Sequence, residues 1–240
     1  MPNASQVSDK HVHLIGIGGA GLSAIARVLL EQGIEVSGSD LVMSPVAKAL
    51  ARDGVRISEG HAAGNVNGAD VVVYSSAVPE ENVEIQAARS AGIPVMGRPA
   101  FLGQLMEGKQ GVAVAGTHGK TTTTAMIVSI LLAAGRDPTF VVGGVLAGLE
   151  TNARAGKEPL FVIEADEYDC TFLSLTPDVA VVTNVEHDHP DCYPTFDDFC
   201  EAFEAFVGLV PDNGLLAVCW DDPAARQIGE RQVDAKPVTF

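Results

Sequence analysis

Residues 112–125 read VAVAGTHGKTTTTA. The apolar run from Val112 to Ala115 reads as a strand. A turn bounded by Gly116 and Gly119 follows, and Lys120 with four consecutive threonines then opens a segment of helical character, TTTTAMIVSILLAAG. Strand, glycine turn and helix in that order place unpaired amides and the positive end of a helix dipole at one point, a setting that suits phosphate. Amides from Gly116, Thr117, His118, Gly119, Lys120 and Thr121 can cradle phosphate oxygens. Lys120 can reach β and γ phosphates, and the Thr121 hydroxyl can hold Mg2+. The loop departs from general P-loop spacing, because Val114 stands where the first glycine is expected and Gly116 is only three residues before Gly119. Thr122 to Thr124 are β-branched and poor helix formers, so in a first turn they read as capping or ligand contacts, some of them simply buried.

Two downstream strands end in acids. FVIEADEYD carries Glu164, Asp166, Glu167 and Asp169, and VVTNVEHDHPD carries Glu186, His187, Asp188, His189 and Asp191. Ligands of open α/β sheets bind at the carboxyl ends of strands, so both clusters are expected beside the glycine turn, where carboxylates serve Mg2+ directly or through water. Taken singly, Glu167, Asp169, Glu186 and Asp191 read as solvated loop or cap residues, because charged side chains are mostly exposed. A zinc site is disfavoured: His187, His189 and Cys192 lie close together, but no second Cys/His pair stands at finger-like spacing.

Upstream, HVHLIGI leads into GIGGAG, in which Gly16, Gly18 and Gly21 fit GxGxxG between a strand and the helical segment LSAIARVLLEQG. The first glycine allows the tight turn, the second lets a diphosphate approach the backbone, and the third lets helix and strand pack closely. Asp40 ends the next strand, 19 positions past Gly21, where a ribose-binding acid often sits. That motif alone favours NAD and does not exclude a nucleotide sugar. His11 and His13 flank a strand start and read as structural, whereas His61 follows a strand end and could face the ligand.

The rest is βαβ repetition, with helices at SPVAKALARDG (Ser44 as cap, Pro45 at the first position), NVEIQAARSAG and FDDFCEAFEAFVGLV, which predicts parallel sheets covered by helices. The pattern pauses at GRPAFLGQLMEGK, and a boundary is placed there, giving domains at 1–105 and 106–240. The chain ends in strand-like KPVTF and reads as a piece of something longer. Fifteen basic against 31 acidic residues give a net charge of −16, which argues against nucleic-acid or anionic-membrane binding. Four cysteines without a CxxC pair, no signal-peptide pattern and no membrane-length apolar run make the cytoplasm the default.

Taken together, GIGGAGLSAIA, SGSD, EGH, YSSAV, GTHGKTTTT, EADEYD and TNVEHDHPDCY resemble the Mur ligase family from about His11 to Trp220. The resemblance implies an α/β chain: a Rossmann-like parallel-sheet N-terminal domain binding a UDP substrate, then a P-loop-type central domain binding ATP, incomplete here. It places Gly16, Gly18, Gly19, Ala20 and Gly21 at the diphosphate, with Asp40, His61 and Ser75 on the nucleoside side. In the central domain it places ATP on Gly116, Thr117, His118, Gly119, Lys120, Thr121 and Thr122. Mg2+ falls to Thr121, Glu164 and His189, with Lys120, Glu164 and His189 carrying catalysis, and Asn184 and Asp188 shaping that strand end. The implied reaction joins L-alanine to the lactyl carboxylate of UDP-N-acetylmuramate through an acyl phosphate, with a homodimer left open. Members that recycle murein peptides have compatible motifs, and the tract from Thr183 to Tyr193 favours those that add L-alanine. Two departures stand out: the amino-acid-binding third domain of the family is missing, and no lysine lies between Lys157 and Lys236 to serve as a carbamylated metal ligand. A UDP-sugar-binding module without catalysis is the leading alternative. An NAD-dependent oxidoreductase is the other, although it leaves the second glycine loop without a role.

Overall fold

A computed structural model describes residues 10–231 and 237–240. The chain divides into two compact units. One runs to Leu105 and also takes Asn152–Ala155; the other holds Met106–Thr151 and Gly156–Phe240.

The first unit contains β1 (His11–Ile15), α1 (Ala20–Glu31), β2 (Glu35–Asp40), α2 (Pro45–Arg52), β3 (Arg56–Glu59), β4 (Val71–Tyr74), α3 (Val83–Ser90) and β5 (Val95–Gly97), with a short 3-10 helix at Ala63–Val66. The five strands lie in the order β3-β2-β1-β4-β5 and pair in parallel. Every residue of β1 is buried, His11 and His13 included. Leu22, Ile25, Ala26 and Leu29 turn inward from α1, and Gly33 at φ +77° ends that helix region. The Ser44 hydroxyl accepts from the Ala47 amide at 3.1 Å and Pro45 opens α2. The direction of strand succession reverses between β1 and β4, so the sheet opens a crevice at the carboxyl end of β1, where the first glycine turn begins.

The apparent pause at GRPAFLGQLM is a helix, α4 (Arg98–Met106). Pro99 is its second residue, where an amide has no helical acceptor to lose, and burial of Phe101, Leu102 and Met106 outweighs the glycine at 103.

The second sheet and its helices are β6 (Gln110–Ala115), α5 (Lys120–Ala133), β7 (Thr139–Leu146), β8 (Thr151–Arg154, whose last three residues are grouped with the first unit), β9 (Leu160–Glu164), β10 (Val179–Val182), α6 (Phe196–Val207), β11 (Leu215–Val218), α7 (Pro223–Arg231) and β12 (Pro237–Thr239). Strand order is β12-β11-β10-β6-β9-β7-β8. The sequence pattern does not announce β8 or α7, and β10 stops at Val182 rather than running on through Glu186 as the strand-like VAVVTNVE suggests. Lys236, at the head of the expected last strand, lies outside the described residues. α6 starts on a Thr195–Asp198 capping box. It buries Phe199, Phe203 and Phe206, and Phe172 stacks on Phe206 with ring centroids 4.9 Å apart. No helix among the described residues is long and apolar enough to cross a membrane.

Candidate functional site

In the second unit β6 lies between β9 and β10, with Val114 in register with Glu164 and Ala115 with Val182. The carboxyl ends of these three strands therefore converge, and the turn after β6 meets the acidic strand ends on both sides. Gly116 has φ +138°, and a Cβ there would strike the Thr183 hydroxyl and lie 3.1 Å from the Asn184 backbone; only glycine fits. The β10 exit holds the turn. The Thr117 amide donates to the Asn184 carbonyl at 3.1 Å, and the His118 amide to Asn184 Oδ1 at 2.8 Å. Thr183 Oγ1 donates to the His118 carbonyl at 2.6 Å, and Thr117 Oγ1 to the Glu186 carbonyl at 2.8 Å. Gly119, at φ +81°, then starts α5 without any side-chain cap. The first-turn amides of a 14-residue helix are thus left for something other than the protein's own side chains.

Lys120 Nζ donates to the Gly116 carbonyl at 2.6 Å, to the Thr117 carbonyl at 3.3 Å and to Glu167 Oε1 at 2.8 Å. Glu167 is 1% exposed, which corrects its reading as a solvated residue, and its Oε2 is buried without a hydrogen-bond partner. The Tyr193 hydroxyl, from the other acidic stretch, donates to the Glu167 carbonyl at 2.5 Å. Burial and the neighbouring Cys170 thiol both push the Tyr193 phenol upward, so it stays protonated and keeps donating. Thr121 Oγ1 donates to Glu164 Oε1 at 3.0 Å, and the Gly143 amide donates to Glu164 Oε2 at 2.6 Å. A side chain at Gly143 would collide with the Glu164 carboxylate, and one at Gly144 would crowd Thr121. This Gly143-Gly144 pair was not singled out from sequence, though a double glycine inside a strand is the usual sign of a close approach.

His189 adopts φ +54°, a conformation uncommon outside glycine. Its Nε2 lies 3.6 Å from Glu167 Oε1 and 3.8 Å from Asp188 Oδ2, and Tyr168 packs edge-on against its ring. The structure thus brings Thr121 to Glu164 and His189 to the Lys120–Glu167 pair. Among the described residues no three His, Cys, Asp or Glu side chains converge as a ready metal cage. Glu186 and Asp191 are exposed as expected, and Thr122 is exposed in the first turn. The Asp169 side chain lies outside the described residues.

The first unit's turn is built on the same plan. Gly16, at φ +87°, faces the Ser75 side chain, where a Cβ would sit 3.1 Å from Ser75 Cβ. Asp40 Oδ2 accepts the Gly18 amide at 2.8 Å, and a Cβ on Gly18 would meet both that carboxylate and Ser44. Gly19 caps α1 without a side-chain bond, and Ala20 is the first helical residue. Gly16, Gly18, Asp40 and Ser75 therefore gather at the end of β1. Arg98, which no sequence motif marks, packs on Gly21 where a Cβ would overlap its guanidinium, bringing a cation to a turn suited to a diphosphate. His61 is set by a different group: its Nδ1 lies 3.2 Å from Ser39 Oγ and 3.5 Å from Glu84 Oε1.

Two α/β units, each with an uncapped helix start beyond a glycine turn, and the second with a lysine, a threonine and a buried acid at that turn, define an α/β protein whose glycine turns are of a kind suited to phosphate. The profile of the Mur ligase family, catalytic domain, matches residues 11–110, and that of the Mur ligase middle domain matches residues 114–240. The chain belongs to the Mur ligase family. It is 50% identical over 231 residues to a UDP-N-acetylmuramate–L-alanine ligase of Sorangium cellulosum, covering 96% of this chain and 49% of the relative. A ligase of the same name from Chromobacterium violaceum is 52% identical over the same shares. Among solved structures, the UDP-N-acetylmuramate:L-alanyl-gamma-D-glutamyl-meso-diaminopimelate ligase from Neisseria meningitides superposes with TM-score 0.88 at 31% identity, covering 96% of this chain and 78% of that one. The UDP-N-acetylmuramate-alanine ligase from Thermotoga maritima gives TM-score 0.84 at 31% identity, covering 96% and 52%. The chain spans about half the length of the curated relatives it matches.

Proposed function

We propose that this chain carries the UDP-substrate-binding and ATP-binding portions of an ATP-dependent amide ligase of peptidoglycan synthesis. The ligase joins L-alanine to the lactyl carboxylate of UDP-N-acetylmuramate. The observation that carries the reading is the Gly116–Thr121 turn: an uncapped helix start with Lys120 held inside it by a buried glutamate.

The chemistry divides among residues as follows. The amides of Gly119, Lys120, Thr121 and Thr122 receive phosphate oxygens, and Lys120 exchanges Glu167 for the charge of the transferred phosphoryl group. The substrate carboxylate takes that group as an acyl phosphate, which the alanine amine attacks, releasing phosphate and leaving an amide. No side-chain nucleophile is needed; the protein orients and stabilises charge. Thr121 and Glu164, with His189 as a further candidate ligand, would hold Mg2+, which would supply Lewis-acid neutralisation of the phosphate oxygens. Gly16, Gly18, Gly19 and Gly21, with Arg98, receive the diphosphate of the UDP substrate, and Asp40, His61 and Ser75 lie toward its nucleoside. A cytoplasmic setting accords with the free thiols of Cys170, Cys192, Cys200 and Cys219.

Calorimetric titration with UDP-N-acetylmuramate, with NAD as control, followed by an assay with ATP and L-alanine, tests the reading. Saturable heat from the UDP sugar alone supports it. Binding without amide product reduces the chain to a binding module, and heat from NAD in place of the UDP sugar overturns it.

A further inference from the structure

The first unit contains a buried polar chain that the ligase reading does not use. Glu84, on α3, is completely buried. Its Oε2 accepts from Ser39 Oγ at 2.6 Å and faces His13 Nε2 at 3.2 Å. Its Oε1 accepts from the Ala62 amide at 3.1 Å and from Asn65 Nδ2 at 2.5 Å. From His13 the chain continues: His13 Nδ1 lies 2.8 Å from Ser37 Oγ, His11 Nε2 lies 2.6 Å from that same oxygen, and His11 Nδ1 lies 2.8 Å from the Gly68 carbonyl.

Hydrogen counting fixes the protons. Burial pushes the Glu84 carboxyl upward, but the bonds from His13, Ser39, Asn65 and Ala62 outweigh it and hold the group down at about 2, so it is a carboxylate and accepts only. The single Ser39 hydroxyl proton therefore points at Glu84. His61 Nδ1 sits between Ser39 Oγ and Glu84 Oε1, both acceptors toward it, and must itself carry a proton. In water a neutral imidazole favours the other tautomer, so the protein sets this one. The Gly68–His11–Ser37–His13–Glu84 chain makes four contacts between two ends that only accept. Two neutral imidazoles and one hydroxyl supply three protons, so the fourth bond requires that one of the two rings be an imidazolium. That charge also neutralises the buried carboxylate, which would otherwise be costly. The other charged groups near the chain are engaged elsewhere: Asp70 accepts the His11 backbone amide at 2.8 Å, and Arg56 pairs with Glu35 at 2.6 Å on the surface.

We propose that Glu84, together with Ser39, is a positioning residue for the ligand of the first unit: it fixes the His61 ring through the Nδ1 proton and leaves Nε2 as the ring atom that meets the ligand. The identity of that ligand rests on the function proposed above; the state of His61 does not.

Long-range nitrogen–proton NMR correlations of the histidine rings in the unliganded chain near neutral pH read the proton positions directly, with rings assigned by single histidine substitutions. Expected are a proton on His61 Nδ1 and one imidazolium shared between His11 and His13. In Glu84→Gln, the His61 Nδ1 proton is no longer held and UDP, used as the probe, binds about tenfold more weakly. His61 without a proton on Nδ1 in the unchanged chain, or both His11 and His13 neutral, overturns the inference without reference to any variant. Unchanged UDP affinity in a Glu84→Gln chain that binds UDP overturns it as well. Absence of UDP heat in the unchanged chain, with His61 protonated at Nδ1, sustains the inference and counts against the UDP reading alone.

Discussion

Lys120 Nζ lies 2.8 Å from Glu167 Oε1, and the second oxygen of that carboxylate is buried with no partner. The pair joins the helix after β6 to the exit of β9. Because Glu167 is almost wholly buried, the lysine ammonium offsets the cost of burying its carboxylate. The same contact keeps the ammonium within the glycine turn, so a phosphate entering there finds the cation in place.

Removing only one partner is therefore harmful to the fold. Lys120→Met should destabilise the second unit by about 3 kcal/mol, because it strands a buried carboxylate. The double variant Lys120→Met/Glu167→Gln should recover most of that loss while remaining unable to use ATP. Urea unfolding of both decides the point; a double variant no more stable than the single one contradicts the pairing argument.

The two glycines of the turn should respond differently to alanine. At Gly119, with φ +81° and open space where a Cβ would sit, Ala costs about 1 kcal/mol of backbone strain. At Gly116 the new methyl meets Thr183 and Asn184 as well, so the loss should reach about 3 kcal/mol and ATP binding should go with it. Thermal unfolding midpoints of the two variants give the comparison, and equal shifts argue against the packing account.

The Glu84 network makes stability acid-sensitive. Its folded carboxyl is depressed from 4.5 to about 2. The contribution is present above the unfolded value and disappears as pH falls through the folded one. The total is about 3 kcal/mol. Glu84→Gln lacks this titration. The stability gap between the two chains should therefore narrow by that amount between about pH 5 and pH 2; a gap independent of pH contradicts the hydrogen-bonding assignment.

Under the proposed function Thr121 and Glu164 serve a cation, not phosphate itself. Thr121→Val and Glu164→Gln should each raise the Mg2+ concentration needed for half-maximal ATP binding by about tenfold, with binding recovering at high Mg2+. Variants whose ATP affinity falls equally at every Mg2+ concentration would assign the residues some other task.

Much of this was legible because it is local. Ser44-Pro45, the two glycine turns and the apolar strand runs carry their meaning within a few residues, and local rules of capping and periodicity apply to them. α4 was hidden because Pro99 and Gly103 read as punctuation, although proline is harmless in a first turn. Glu167 was misjudged because its burial depends on Lys120, 47 positions away. His13 and Glu84 are 71 positions apart, and nothing in either neighbourhood announces the other. Arg98 was invisible for the same reason: its place over Gly21 follows from the fold and not from any motif.

The function proposed for the second unit stands or falls on whether the Gly116–Thr121 turn holds the phosphates of ATP through Lys120. Mg-ATP titrated into the unchanged chain and into Lys120→Ala, side by side in a calorimeter, decides it. Saturable heat is expected in the first and its loss in a folded second. Equal binding by both chains would contradict the assignment of Lys120 to the phosphates.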